Sequence, residues 1–148
     1  MKVFVYGTLK PGEKNYHPYC ASQVIETKKA YTWGQLYHLP LGYPAMTTGK
    51  SKVMGFLLTF SNEEILESLD ELEDYHPQRS PQDNEYERQK ILVYDLAGEP
   101  LGEAWSYIMT LKKVEQLKGV LVPSGWWSIN SYQGPVTHFG SQKQQVCH

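Results

Sequence analysis

The feature that most constrains the fold is a series of β-branched and aromatic stretches joined by turns rather than by helical crossovers. Five such stretches have strand composition: residues 2–6, 24–39, 53–60, 87–95 and 103–109. Gly/Pro-rich residues 40–44 separate the second and third stretches, and residues 96–100 predict a hairpin turn between the last two. This pattern predicts a mixed or antiparallel sheet that curls into a small barrel.

Length and charge narrow the class of protein. The chain has 148 residues, with 14 Lys+Arg against 16 Asp+Glu and a net charge of −2. The length predicts one domain, residues 1–132, followed by a polar and poorly ordered C-terminal tail, 133–148. The charge balance argues against a nucleic-acid partner, and no apolar stretch reaches the roughly 18 residues of a membrane span. Two cysteines, Cys20 and Cys147, predict free thiols and a cytoplasmic protein.

Two helices are expected between the strands. Ser61 and Glu64 have the S-x-x-E spacing of a capping box, which predicts a helix from Ser61 to about Asp74. A shorter helix is predicted over residues 111–117.

The first predicted helix carries seven of the 16 acids and no Lys or Arg. At about 100° per residue, Ile65, Leu66, Leu69 and Leu72 form its buried stripe. Six acids fall on the opposite, solvent-facing side: Glu63, Glu64, Glu67, Asp70, Glu71 and Asp74. The seventh, Glu73, falls inside the apolar arc and is predicted to point toward the core or a cavity beside it.

An inward carboxylate has two interpretations. Burial and the negative end of the helix dipole both raise the pKa of Glu73, which suits a general base working near neutral pH. In the structural alternative, Glu73 pairs with Arg79 or Arg88, or swings outward as the last helical turn frays.

A tight turn follows the first predicted strand, in the sequence Tyr-Gly-Thr-Leu-Lys-Pro-Gly, residues 6–12. Glycine lets backbone amides approach a ligand closely, so this loop is a candidate anion or oxyanion cradle. The alternative is a turn without a ligand. The spacing of Gly7 and Gly12 matches the phosphate-binding G-x-x-x-x-G motif, but Glu13-Lys14 follows instead of Lys-Ser/Thr, and the dinucleotide fingerprint is absent.

Several motifs together resemble the gamma-glutamylcyclotransferase-like superfamily, whose plant branch is called avirulence-induced-gene-like. They run from residue 1 to about 109: Tyr-Gly-Thr-Leu at 6–9, Tyr-Pro-Ala at 43–45, Gly55, Leu-Asp-Glu-Leu-Glu at 69–73, Tyr-Glu-Arg at 86–88 and Ala-Trp-Ser-Tyr at 104–107. Residues 122–127, including Trp126-Trp127, carry no clear family motif.

The resemblance implies an α+β fold, a small mixed and mostly antiparallel β-barrel with flanking helices. It also implies an enzyme that releases 5-oxoproline and a free amine from gamma-glutamyl amino acids, amines or glutathione. Glu73 is then the catalytic carboxylate, and Tyr6, Gly7, Thr8 and Leu9 bind the substrate. Arg88 is a candidate ligand of the substrate carboxylate, or else balances an acid structurally.

The sequence offers no metal site and no cofactor motif. Its five histidines lack paired ligand spacing, and no nucleophile elbow occurs. Besides the small gamma-glutamyl substrate, no partner or oligomeric state is predicted. The main rival function is a non-catalytic binding or interaction module on the same fold. A carbohydrate-cleaving site is a third candidate, but only one acid is placed inward where two are usual.

Overall fold

Strands are the main regular secondary structure of residues 1–132, which are the residues that this structure, a computed structural model, describes. In chain order the strands are β1 (Lys2–Val5), β2 (Val24–Leu39), β3 (Tyr43–Phe60), β4 (Glu87–Tyr94), β5 (Pro100–Ile108) and β6 (Val120–Leu121). The helices are α1 (Ile65–Leu72) and α2 (Leu111–Gln116), with single helical turns at His17–Ala21, Pro81–Asp83 and Ile129–Ser131. The predicted tail, 133–148, lies outside the described residues.

Five of these strands close into a barrel. The order is β3-β1-β5-β4-β2, and β2 pairs again with β3 to complete the ring, while β6 adds to the edge of β2. The pairing of β1 with β5 is parallel and the other pairings are antiparallel. The predicted mixed, mostly antiparallel barrel with few helices is therefore confirmed, as is the hairpin of β4 and β5.

The two faces of β1 separate two apolar clusters. Phe4 packs in a cluster that draws residues from all five barrel strands, together with Val122 and the fully buried Trp127. Val3 and Val5 point the other way, into a cluster that includes the buried face of α1. Because both faces of β1 are covered, the loop that follows this strand starts from a rigid base.

The third strand begins at Tyr43 rather than at residue 53. Residues 48–52 are polar and exposed, so their composition resembles a turn. Lys52 and Ser51 nevertheless pair with β2, and the register then shifts to Gln35 opposite Thr47, so residues 48–50 form an irregularity inside β3. Such an irregularity bends the strand, so that the two ends of the β2–β3 hairpin contribute to different parts of the barrel.

The predicted capping box of the first helix is wrong. Helix α1 begins at Ile65, and its N-cap residue, Glu64, makes no side-chain capping bond. Instead the backbone N–H of Glu64 donates to Asn62 Oδ1 at 2.9 Å, which satisfies the donor through a local turn. The second helix is close to prediction and is capped by Thr110, whose side chain accepts from the N–H of Lys113.

We predict that Gly55→Ala strongly destabilises the barrel. A Cβ atom at this position of β3 would lie 2.2 Å from the carbonyl oxygen of Val5 and 2.9 Å from the Phe4 ring. Because the nearest obstacle is backbone, β1 and β3 must move apart, and overpacking of this kind costs about 1–3 kcal/mol or more. Urea denaturation of Gly55→Ala measures the loss, with Ser51→Ala, an exposed site on the same strand, as control. Equal unfolding midpoints for the two variants would contradict the prediction.

Candidate active site

The loop after β1 is buried and internally hydrogen-bonded. Tyr6, Thr8 and Leu9 are each less than 5% exposed, at 4%, 1% and 3%. The N–H of Lys10 donates to the Gly7 carbonyl at 3.0 Å, which closes a tight turn. Asn15 holds Thr8 twice, through its backbone N–H to the Thr8 carbonyl at 2.9 Å and through Nδ2 to Thr8 Oγ1 at 3.0 Å. We call residues 6–9 the Y-G-T-L loop.

Glu73 lies immediately after α1 and is 0% exposed, so the structure places it inward as predicted. The helix ends in a Schellman motif, in which the N–H of Tyr75 donates to the Asp70 carbonyl and the N–H of Asp74 to the Glu71 carbonyl. Asp74 takes the left-handed position of that motif, with φ of 57°. These bonds hold the last turn, which fixes the direction of the Glu73 side chain.

Burial raises the pKa of Glu73 well above its ordinary value of 4.5, and the charges of Glu85 and Asp70 raise it further. A carboxyl group in such surroundings holds its proton at a higher pH than a solvated one. Such a group can take up a proton at a pH where a solvated carboxyl group stays ionised.

Asp70, predicted on the solvent-facing side of the helix, is instead half enclosed by β4 and β5. Arg88 Nε lies 2.8 Å from Asp70 Oδ1, and the Tyr107 hydroxyl donates to the same oxygen at 2.7 Å. On the helical wheel Asp70 is at the edge of the polar arc, where a neighbouring strand can reach it. The side chain that sequence reasoning weighed as a substrate ligand, Arg88, therefore has a protein carboxylate as its partner.

The other arginine considered as a partner of Glu73 also binds elsewhere. Arg79 Nη2 lies 3.0 Å from Asp74 Oδ1 and donates to the Asp74 carbonyl at 2.6 Å, while its Nε donates to Asn84 Oδ1. Neither of the two recorded ion pairs of the described chain thus involves Glu73.

Sequence reasoning missed a second carboxylate, Glu85. Its charge raises the pKa of Glu73, and its own pKa is raised by burial and partly restored by a hydrogen bond from the Tyr43 hydroxyl. Glu85 belongs to no helix or strand, so no periodicity marks it as inward-facing. The sequence signal that could have found Glu85 is its position directly before Tyr86, the first residue of the Tyr-Glu-Arg motif.

A small cavity joins the carboxylate and the loop. Its lining comes from β1, the Y-G-T-L loop, β5 and the end of α1: Phe4, Val5, Tyr6, Gly7, Leu9, Glu73 and Tyr107. The cavity measures about 10 Å³, which is roughly the room that one water molecule needs. Three of the four predicted loop residues thus meet Glu73 around one space, whereas Thr8 and Arg88 do not line it.

Other candidate chemistries have less support in residues 1–132. Burial raises the pKa of the Cys20 thiol to about 12, with the charge of Glu73 adding to the effect, so this cysteine is a neutral thiol at physiological pH. Within the described range no group of three or more His, Cys, Asp or Glu side chains could hold a metal ion. The same range contains no helix that is both long and apolar enough to cross a membrane.

We predict that Glu73→Gln stabilises the chain by an amount that grows with pH. The pKa of Glu73 is higher in the folded chain than in the unfolded chain, where it is about 4.5. The protonated side chain therefore contributes its full stability below about pH 4.5, and this contribution is lost as pH rises through the folded-state pKa. Glutamine does not titrate, so the difference in unfolding free energy between Glu73→Gln and the unmodified chain increases over this window, by at most about 1.4 kcal/mol per pH unit.

Urea denaturation at a series of pH values measures that difference. Glu71→Gln, which removes an exposed carboxyl group from the same helix, is the matched control. A difference for Glu73→Gln that does not change with pH would mean that its pKa is not raised.

Comparison with known proteins shows the family of the chain. A family model described as gamma-glutamyl cyclotransferase, AIG2-like, matches residues 3–129. The gamma-L-glutamyl-butirosin B gamma-glutamyl cyclotransferase of Niallia circulans is 36% identical over 108 residues, which are 72% of this chain and 65% of that protein. A putative gamma-glutamylcyclotransferase of Halalkalibacterium halodurans is 39% identical over 102 residues, covering 68% of this chain and 83% of that one.

A solved structure shares the fold. The crystal structure of an AIG2-like protein from Mus musculus has a TM-score of 0.68 and 21% sequence identity, and the match covers 97% of both chains. The chain therefore belongs to the gamma-glutamyl cyclotransferase, AIG2-like family of cyclotransferase enzymes.

Proposed function

We propose that this protein releases 5-oxoproline and a free amine from a gamma-glutamyl amino acid, amine or peptide by intramolecular aminolysis. The observation that carries the proposal is the meeting of buried Glu73 with the Y-G-T-L loop around one cavity. A proton acceptor and a set of backbone amides side by side are what this reaction requires.

The substrate supplies its own nucleophile in this mechanism. Its α-amine attacks its γ-carbonyl carbon and closes a five-membered ring, and the bond from that carbon to the leaving nitrogen then breaks. Glu73 takes the proton that the α-amine loses and delivers it to the departing amine, so one carboxylate acts as base and then as acid. No covalent intermediate with the protein forms, which agrees with the neutral state of Cys20.

The Y-G-T-L loop contributes position and charge stabilisation. Backbone N–H groups of Gly7 and Leu9, which line the cavity, and of Thr8 between them once the cavity has widened, bind the substrate and the oxyanion that develops on the γ-carbonyl. Holding amine and carbonyl in a near-attack pose supplies much of the rate, because effective molarities of well-oriented intramolecular reactions are very large. A glutamyl group exceeds the room for one water molecule, so substrate binding widens the cavity between the loop and Glu73.

Arg88 acts in this proposal through Asp70. Its guanidinium lies 2.8 Å from the Asp70 carboxylate and offsets part of the charge by which Asp70 raises the pKa of Glu73. It is therefore a positioning residue rather than a ligand of the substrate carboxylate.

We predict that Glu73→Gln abolishes release of 5-oxoproline. Removal of a general acid–base group lowers kcat by about 10²–10⁴-fold, while glutamine keeps the shape of the site. Liquid chromatography of 5-oxoproline over gamma-glutamyl dipeptides, ε-lysine conjugates, gamma-glutamyl butirosin B and glutathione measures the activity. Glu71→Gln is the control and keeps full activity.

The same substrate panel separates the enzyme from a binding module. Measurable binding of a gamma-glutamyl compound without 5-oxoproline release by the unmodified chain would favour the module. Turnover that Glu73→Gln leaves unchanged would remove Glu73 from the mechanism.

A further inference from the structure

Lys10, directly after the Y-G-T-L loop, has no role in the mechanism above, yet it is 0% exposed. A buried ammonium group is costly unless it is hydrogen-bonded or faces an electron-rich partner. Burial lowers the pKa of Lys10 to about 8, and the charge of Glu13 acts in the opposite direction.

The groups that hold Lys10 come from residues 122–132, which we call the C-terminal strap. Lys10 Nζ donates a hydrogen bond to the Trp127 carbonyl. The same nitrogen lies 3.8 Å from the centroid of the Trp126 ring and 5.6 Å from that of Trp127. Trp126 is 42% exposed, so its ring can be removed by a substitution at a site outside the buried core.

The strap itself is fixed to the barrel. The Gly125 carbonyl accepts from the N–H of Met54 at 2.8 Å, and a Cβ at Gly125 would lie 2.1 Å from the Lys52 carbonyl oxygen. Trp127 Nε1 donates to His38 Nδ1 at 2.9 Å, and the His38 ring stacks on Tyr132 at 3.8 Å. Because the strap is fixed to the barrel, its contacts with Lys10 can hold the loop in one position.

We propose that Lys10 is a positioning residue that ties the Y-G-T-L loop to the C-terminal strap and so holds the loop in its reactive conformation. Asn15 holds the loop through Thr8, and Lys10 holds the other end. This inference rests on the proposed function, because the conformation that matters is the one in which the loop amides bind the developing oxyanion.

The first readout needs no turnover. Hydrogen exchange of the amides of residues 7–10, followed by mass spectrometry, reports how firmly the loop is held. Lys10→Met removes the hydrogen bond and the two ring contacts with the strap, whereas Trp126→Leu removes the nearer ring and leaves the Trp127 carbonyl. We expect the amides of residues 7–10 to exchange faster in both variants, and faster in Lys10→Met than in Trp126→Leu. Two control variants are expected to exchange at the rate of the unmodified chain. Lys14→Met removes an exposed lysine nearby, and Trp33→Leu removes an exposed tryptophan beside another lysine, Lys52.

The second readout is the split between kcat and KM for 5-oxoproline release. Misplaced loop amides weaken transition-state stabilisation, so kcat falls by about tenfold to a hundredfold in Lys10→Met while KM changes little. In the unmodified chain kcat also falls as pH rises above about 8, since a neutral amine loses its attraction to the tryptophan ring. Lys10→Arg stays charged, which restores kcat and removes that alkaline limb. The charged or titratable groups near Lys10 are Glu13, three residues further along the chain, and His38, which is hydrogen-bonded to Trp127.

The outcomes separate the two proposals. Unchanged loop exchange in folded Lys10→Met, or in Trp126→Leu if Lys10→Met does not fold, overturns the tie between loop and strap. Faster exchange with unchanged kcat overturns the positioning role. An unmodified chain that releases no 5-oxoproline from any substrate, but whose loop is loosened by Trp126→Leu, contradicts the proposed function and supports the tie.

Discussion

The rest of the site depends on keeping one carboxyl group, that of Glu73, away from water. The cost is limited because the neighbouring acids are each given a partner of their own: Asp70 has Arg88 and Tyr107, and Glu85 has Tyr43. If those acids were unpartnered, their full charge would act on Glu73 through a medium of low dielectric. The surroundings raise the proton affinity of Glu73, and the proposed mechanism uses that affinity when Glu73 acts as base and then as acid.

Barrel topology brings the loop and the helix end together. Strand β1 lies between β3 and β5 and runs parallel to β5, so Tyr6 and Tyr107 come at the same end of the barrel, where the Tyr6 hydroxyl donates to the Tyr107 carbonyl at 2.7 Å. The outward face of β1 packs in the same apolar cluster as α1, which places Glu73 beside the same strand end. Residues far apart in sequence thus converge because the central strand is shared.

Patterns of local composition and periodicity predicted the barrel, the β4–β5 hairpin and the inward direction of Glu73. They failed where the decisive contact is made with a residue distant in the chain. Asp70 lies on the polar side of its helix but is recruited by Arg88 from β4, and Glu85 turns inward from a segment with no period at all. Residues 48–52 have the composition of a turn, but they lie inside β3, where Ser51 and Lys52 pair with β2. The burial of Lys10 depends on a carbonyl and a ring from Trp127 and Trp126, which no local pattern can reveal.

The small size of the cavity beside Glu73 has a thermodynamic consequence. The cavity has room for about one water molecule, so in the proposed function the substrate binds a form of the protein in which it is wider. The apparent affinity for the substrate is then the intrinsic affinity multiplied by the fraction of protein molecules whose cavity is already wide. That fraction is a property of the protein alone, so a substitution that changes it shifts the apparent affinity for every gamma-glutamyl compound by the same factor. Under the proposed function, discrimination between leaving amines then arises outside this cavity, in contacts made by the part of the substrate that departs.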